Sequence, residues 1–278
     1  MISSKTDINK FNIDYSVSDI VNKMFQNILD KNISIEGDQF QQIIDTLIIF
    51  KSKHFNRCWI AEYLPFWYSI LKKEIENIKV KKIKYLQIGV FEGMSLLYLT
   101  QILLSNFEVE ITVIDDFSTE PYFKTEETFD NNLKDVKIRK IKQDSHTALL
   151  ELINNKETFD FIYCCGSRKP YIVYVDFALL TKLITDNTYL LVDDYSAFSS
   201  YSGDIEPNLV KDIFMKSFKK YHKNIIVGEQ NLLIFKEIKQ EEYKIIEKKP
   251  DCVNRIIDNK LEYNKYKNKY NFLKKNLK

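Results

Sequence analysis

Apolar residues recur at helical spacing through the first third of the chain. Between Val17 and Asp30 they fall on one face of a helix, and the pattern returns around Ile43 to Ile49. A third helical stretch is predicted across Trp59 to Ile78. We therefore expect residues 1–80 to form an N-terminal helical cap.

After Lys81 the pattern changes to short apolar runs that alternate with helical segments. Seven runs are typical of strands: 83–88, 109–114, 136–141, 159–164, 189–192, 225–227 and 232–235. Four helical segments lie between them: 95–104, 148–153, 173–184 and 209–221. Strands that alternate with helices pair in parallel through crossovers. Residues 81–238 are therefore predicted to form a doubly wound α/β sheet whose last two strands form an antiparallel hairpin.

The last segment, residues 239–278, is a charged C-terminal tail rich in Lys, Glu, Tyr and Asn. Its scattered apolar residues are compatible with a surface helix, an oligomerisation arm or a partly disordered segment. A homo-oligomer formed through the helical ends is one expectation.

Composition gives no support for several classes of binding partner. The net charge is +2, from 41 basic and 39 acidic residues, which gives no general reason to expect nucleic-acid binding. No apolar run approaches the roughly 20 residues of a membrane span, and the N-terminus lacks the pattern of a signal peptide. The four cysteines show no zinc-binding spacing. We expect a cytoplasmic protein that binds neither nucleic acid nor membrane.

The six glycines provide the sharpest indication of a ligand site. Gly89 and Gly93 directly follow the first strand, where a Gly-x-x-x-Gly turn that opens a helix lets the backbone approach a ligand. The spacing differs from the Gly-x-Gly-x-x-Gly of dinucleotide sites, which argues against an NAD-dependent oxidoreductase. Two turn glycines without a ligand are the alternative.

Polar residues also follow the second and third strands. Asp115-Asp116 ends the second strand, and a carboxylate there can accept both ribose hydroxyls. Gln143-Asp144-Ser145 follows the third strand, where an acceptor could bind an adenine amino group. A helix or loop cap is the alternative for the aspartate. All these positions lie at carboxyl ends of strands, where open α/β sheets bind ligands.

From Tyr85 to Phe198 the chain resembles class I S-adenosylmethionine-dependent methyltransferases, specifically a group of small O-methyltransferases. That group's first motif is similar to Leu-Glu-Ile-Gly-Val-x-x-Gly-x-Ser, its fourth strand ends in Tyr-Ile-Asp-Gly-Ser-His, and its fifth ends in Asp-Asp-Tyr. The counterparts here are three segments: Leu86–Ser95, Tyr163–Arg168 and Asp193–Tyr195. The resemblance implies a Rossmann-like seven-stranded domain that binds S-adenosylmethionine.

The resemblance also implies roles for individual residues. Gly89 and Gly93 would hold the methionine end of the cofactor, Asp115 its ribose, and Asp144 with Ser145 its adenine. The implied cofactor site is completed by Gln87, Phe91, Ser95 and Cys165. Asp193 and Asp194 would face the methyl acceptor, with Arg168 beside them as the third catalytic candidate.

Three residues depart from the family pattern. Gln87 replaces the usual acid of the first motif, Cys165 replaces the Asp of Asp-Gly-Ser-His, and Arg168 replaces its His. A thiolate is a poor ligand for Mg²⁺, so the change at Cys165 argues against a catalytic divalent metal. Arg168 offers a fixed charge suited to a carboxylate or phosphate, with a surface ion pair as the alternative.

The leading hypothesis is methyl transfer to a hydroxyl group of a small molecule or sugar, with Asp193 or Asp194 as base or orienting group. The second hypothesis is a catalytically degenerate methyltransferase-fold protein that acts as a binding or interaction module. The changes at Cys165 and Arg168 motivate this second hypothesis.

Overall fold

The computed structural model describes residues 8, 10–31, 33–118, 124–193, 210–214, 223–228 and 230–235. They lie within one compact unit, so the predicted cap and the sheet share a single body. The N-terminal helices are α1 (Ser18–Asp30), α2 (Gly37–Thr46), α3 (Leu64–Phe66) and α4 (Lys72–Ile75). A π-helical turn, Trp67–Leu71, joins α3 to α4, and 3-10 turns occupy Leu47–Phe50 and Ile60–Glu62.

Seven strands form one sheet: β1 (Lys82–Ile88), β2 (Glu108–Ile114), β3 (Ile138–Ile141), β4 (Phe159–Cys164), β5 (Ile184–Val192), β6 (Lys223–Val227) and β7 (Gln230–Ile234). Their order is β3-β2-β1-β4-β5-β7-β6. The first five strands pair in parallel, whereas β7 is antiparallel to both β5 and β6. The predicted doubly wound sheet with an antiparallel last hairpin is confirmed.

Four helices connect the parallel strands: α5 (Met94–Tyr98), α6 (Thr125–Leu133), α7 (Ser145–Asn154) and α8 (Pro170–Leu180). A π-helical turn, Leu99–Leu103, continues α5. The sequence pattern did not predict α6. Only Phe129 and Leu133 are apolar among its nine residues, and their i,i+4 spacing gives one short buried stripe.

The two faces of the sheet pack against different helices. Along β1, Ile83 and Tyr85 point into a core shared with the N-terminal helices, while Leu86 and Ile88 point into a core shared with α7 and α8. This alternation follows from the two-residue period of a strand. The N-terminal helices therefore cover one face of the sheet as an integral layer.

Strand order reverses between β1 and β4, because β2 and β3 follow on one side of β1 and β4 and β5 on the other. In open α/β sheets a crevice forms outside the carboxyl ends of the strands at this point. The turns that follow β1 to β5 meet there and build the candidate site described below. Within the part of the chain that the structure describes, no helix is both long enough and apolar enough to cross a membrane.

Candidate functional site

A cavity of about 610 Å³ lies at the carboxyl ends of the parallel strands. Its volume is in the range of small-molecule and cofactor sites. Nine of the predicted site residues line it: Gly89, Phe91, Ser95, Asp115, Asp144, Ser145, Cys165, Arg168 and Asp193. Gln87 and Gly93 are outside the lining, and Asp194 lies outside the described residues.

Both glycines of the first turn have a positive φ and little room for a side chain. A Cβ on Gly89, where φ is +79°, would lie 2.5 Å from the backbone oxygen of Cys165. A Cβ on Gly93, where φ is +85°, would lie 2.4 Å from Leu133 Cδ1 in α6. Gly89 therefore brings the β1 and β4 turns together beside the cavity, whereas Gly93 lets α6 pack under the turn.

Below the first turn, Gln87 is fully buried and all its polar atoms are used internally. Its Nε2 donates to the Gly89 carbonyl (2.9 Å) and to Ser95 Oγ (2.8 Å), and its Oε1 accepts from the Tyr85 hydroxyl. Cys165 Sγ donates to the same Gly89 carbonyl at 2.8 Å. Burial raises the pKa of the Cys165 thiol well above its ordinary value. Gln87 and Cys165 therefore bring no charge to this end of the cavity.

The adjacent aspartates after β2 differ in what they can bind. Asp115 accepts three backbone N–H groups, from Val90 (2.7 Å), Phe91 (3.0 Å) and Phe117 (2.8 Å). Burial raises its pKa, and the three N–H groups partly oppose that rise. Asp116 also lines the cavity, but it is exposed, and among the described residues its Oδ1 accepts Ser118 N at 2.9 Å. Asp115 therefore shapes the first turn, and Asp116 presents the more available carboxylate.

After β3, Asp144 caps the N-terminus of α7. Its Oδ1 accepts Thr147 N at 3.0 Å, and this bond is the main cause of a lowered pKa. Ser145 follows at the cavity wall, and its side chain hydrogen-bonds to Asp176 in α8. The third strand thus contributes one ionised carboxylate and one hydroxyl group to the lining.

At the opposite end of the cavity, Arg168 forms a half-buried ion pair with Asp193. Arg168 Nη2 donates to Asp193 Oδ2 at 2.5 Å, and only 4% of the Asp193 surface is exposed. Asp193 Oδ1 accepts Gln230 Nε2 at 2.8 Å and the Tyr163 hydroxyl at 3.3 Å. Gln230 in turn accepts Trp67 Nε1 at 2.6 Å. This network fixes the carboxylate at the end of β5 and compensates its charge.

Among the residues that the structure describes, no three His, Cys, Asp or Glu side chains are grouped as a metal site. The carboxylate of Asp193 faces the guanidinium of Arg168.

Sequence reasoning missed one wall of the cavity. It comes from the predicted cap and consists of Arg57, Trp59, Ile60, Glu62 and Tyr63. Trp59 is 53% exposed and packs on Phe91 with ring centroids 4.5 Å apart. Trp67, in the same aromatic-rich segment, is instead fully buried. Helical spacing could not place Arg57 and Trp59, because the segment before Ile60 has no regular structure.

Part of the chain that builds this site is similar to a known domain family. Residues 86–195 match the family model of a methyltransferase domain. The chain has the Rossmann-like methyltransferase fold. The matched segment runs from β1 to just beyond β5 and so includes all five strand ends at the cavity. No curated protein matches the sequence significantly.

Several solved structures are similar to the chain at low identity. The MycE methyltransferase from the mycinamycin biosynthetic pathway, in complex with Mg and SAH, is 12% identical over 69% of this chain, with a TM-score of 0.48. The chain spans only 55% of MycE. An O-methyltransferase from Bacillus cereus in complex with SAH is 11% identical, with 76% of this chain and 96% of that chain covered and a TM-score of 0.46. The ribosomal protein L11 methylase from Lactobacillus delbrueckii subsp. bulgaricus is 12% identical, with 67% and 83% covered and a TM-score of 0.42.

Proposed function

We propose that this protein is an S-adenosylmethionine-dependent methyltransferase that methylates a hydroxyl oxygen of a small molecule or sugar. The observation that carries the proposal is the cavity itself. One wall offers carboxylates and a hydroxyl at the ends of β2 and β3, and the other offers the Arg168–Asp193 pair at the ends of β4 and β5. The match of residues 86–195 to a methyltransferase domain supports this interpretation.

The adenosine half of the cavity fits the cofactor. Asp116 has an exposed carboxylate, which can accept the two ribose hydroxyls. Asp144 and Ser145 lie at the neighbouring strand end, where they would flank the adenine. We assign the ribose to Asp116 because the oxygens of Asp115 already accept backbone N–H groups.

The methionine half of the cavity would contact the cofactor through neutral groups. The Gly89 carbonyl already accepts from Gln87 and Cys165, and neither of these side chains supplies an anion. Ser95 retains a hydroxyl at the cavity wall. The amino-acid end of the cofactor would therefore be held by dipoles and shape, and the adenosine half would provide most of the affinity.

At the acceptor end, Arg168 and Asp193 would act as a pair. When bound, the cofactor supplies a sulfonium methyl group as the electrophile. Asp193 Oδ2 accepts Arg168 Nη2, and its second lone pair could accept a proton from an acceptor hydroxyl. The guanidinium of Arg168 could bind the acceptor oxygen or a neighbouring anionic group at the same time. The network around Gln230 keeps Oδ1 in place during this proton transfer.

Calorimetric titration with S-adenosylmethionine and with its demethylated product tests the proposal. Asp116→Ala should weaken binding by roughly 10- to 100-fold, since hydrogen bonds to a charged group contribute about 1.5–3 kcal/mol. The matched variant Asp116→Asn keeps one acceptor and should lose less. Asp115→Ala is less diagnostic, because it leaves three backbone N–H groups without their acceptor and disrupts the turn. Absence of binding to the wild-type protein would refute the proposal.

A methyltransferase-fold binding module is the second candidate. It is favoured by the surroundings of Asp193. The two carboxylate oxygens already accept hydrogen bonds from three side chains, and Arg168 compensates the negative charge. Transfer of a tritiated methyl group to a panel of hydroxyl-bearing acceptors separates the candidates. Cofactor binding with no transfer to any acceptor would support the binding module. The sugar acceptor, the cytoplasmic location and a homo-oligomer remain predictions.

A further inference from the structure

The wall formed by residues 57–63 belongs to the N-terminal layer, yet it closes a cavity built by the sheet. The preceding segment, residues 53–56, has no regular secondary structure. Its backbone groups must therefore find partners outside a helix or strand. Two side chains from the sheet domain, Glu92 and Asn132, supply them.

Glu92 holds Asn56 with both carboxylate oxygens. Its Oε2 accepts Asn56 N at 2.7 Å, and its Oε1 accepts Asn56 Nδ2 at 2.5 Å. Glu92 is only 1% exposed and lies between Phe91 and Gly93 in the first turn. Burying a carboxylate costs free energy unless hydrogen bonds compensate it. The two bonds to Asn56 therefore favour one position of the segment relative to Glu92.

Asn132 in α6 makes a second contact, with His54, two residues before Asn56. Its Oδ1 accepts His54 N at 2.9 Å, and its Nδ2 donates to the carbonyls of His54 (2.7 Å) and Glu92 (3.0 Å). Its own carbonyl accepts Lys53 Nζ at 2.5 Å. One buried amide thus ties the N-terminal segment, the first turn and α6 together.

The chain enters the cavity wall immediately after this contact. Arg57 follows Asn56, and Trp59 packs on Phe91, the residue before Glu92. Phe91 itself has a positive φ of +49°, an unfavourable conformation that Asp115 holds through the backbone N–H. The position of the wall is therefore coupled to the turn that would hold the cofactor.

We propose that Glu92 and Asn132 are positioning residues that latch residues 53–56 to the first turn and thereby set the wall carrying Arg57 and Trp59. The role of this latch in catalysis rests on the proposed function, because the wall closes the cavity that would hold cofactor and acceptor. Loss of the latch releases the wall and opens the cavity, while the sheet and both cores stay folded.

Tryptophan fluorescence tests the latch without any ligand. The two tryptophans differ: Trp67 is fully buried and Trp59 is half exposed on the cavity. In Glu92→Ala, acrylamide quenching of Trp59 should rise about twofold through local opening of the segment. The same change in a Trp59→Phe background should leave the quenching of Trp67 as in the parent, which shows that the fold is intact.

Affinity for the demethylated cofactor provides the second readout. Glu92→Ala should weaken binding by about tenfold, comparable to the loss of one hydrogen bond to a charged group. Glu92→Gln keeps an acceptor for Asn56 N and should restore most of the affinity. Glu108→Ala, on an exposed glutamate of β2, is the matched control and should change neither readout.

Unchanged Trp59 quenching and unchanged affinity in folded Glu92→Ala would overturn the proposal. If Glu92→Ala does not fold, Asn56→Ala removes the side-chain bond from the other partner and is judged by the same two readouts. Failure of the wild-type protein to bind either form of the cofactor would refute the proposed function. The quenching measurement would still decide the latch.

Discussion

Asp176, which lies beside the cavity-lining Ser145, provides a test of the structure through its effect on stability. It lies in α8, is 2% exposed, and has no hydrogen-bond partner for Oδ1 among the described residues. Ser145 hydrogen-bonds to the carboxylate, and His146 Nε2 lies 3.6 Å from Oδ1. Burial raises the pKa of Asp176 from its ordinary 3.8 to about 6, against the opposing effects of Ser145 and His146.

The sign of the effect follows from proton binding. Between pH 3.8 and about 6, the folded protein holds a proton that the unfolded chain has released, so stability falls as pH rises through this window. The shift in pKa corresponds to a loss of roughly 3 kcal/mol of folding stability, at about 1.36 kcal/mol per pKa unit. The full loss is reached above about pH 7, and there is no loss below the pKa of the unfolded chain. The isosteric variant Asp176→Asn removes the titrating group and keeps an acceptor for Ser145.

Urea unfolding of both proteins at a series of pH values measures the difference. Asp176→Asn should be more stable than the wild type by about 1–3 kcal/mol at pH 7.5, and the gain should vanish below pH 4. Asp186→Asn, at an exposed position of β5, is the control and should show no such pH-dependent gain. A difference that stays constant with pH, or a loss of stability at pH 7.5, would contradict the reasoning.

Three further predictions concern the site and its first turn. Arg168→Gln should destabilise the protein by about 3–5 kcal/mol in urea unfolding, because Asp193 would keep a buried charge without its cation; a neutral effect would mean that the pair is not formed in solution. Gly93→Ala should cost about 1–3 kcal/mol of stability, since its Cβ meets Leu133 and its φ is positive; an unchanged urea midpoint would argue against the turn geometry. Cys165 should react with iodoacetamide at least about tenfold more slowly than a free thiol at pH 8, because desolvation raises the pKa of its thiol; peptide mapping by mass spectrometry measures the rate, and fast labelling would contradict the raised pKa.

Much of the fold could be predicted from hydrophobic spacing. All seven strands were located, because buried parallel strands appear as short continuous apolar runs. Helix α6 was missed because its buried stripe consists of few residues and its remaining positions are polar. The irregular segment before Ile60 was missed for a related reason, since its order comes from Glu92 and Asn132 and not from its own pattern.

By itself, the sequence determined the sheet, the turn after β1 and the set of polar residues at the strand ends, since strand period and glycine spacing are local properties. Tertiary structure alone decided which of them face the cavity. Asp115 and Asp116 are adjacent, yet backbone N–H groups from another turn occupy only the first. Arg168 meets Asp193, and Trp59 reaches Phe91, only because distant segments fold together. A side chain's availability depends on which neighbours compete for it, and those neighbours are distant in sequence.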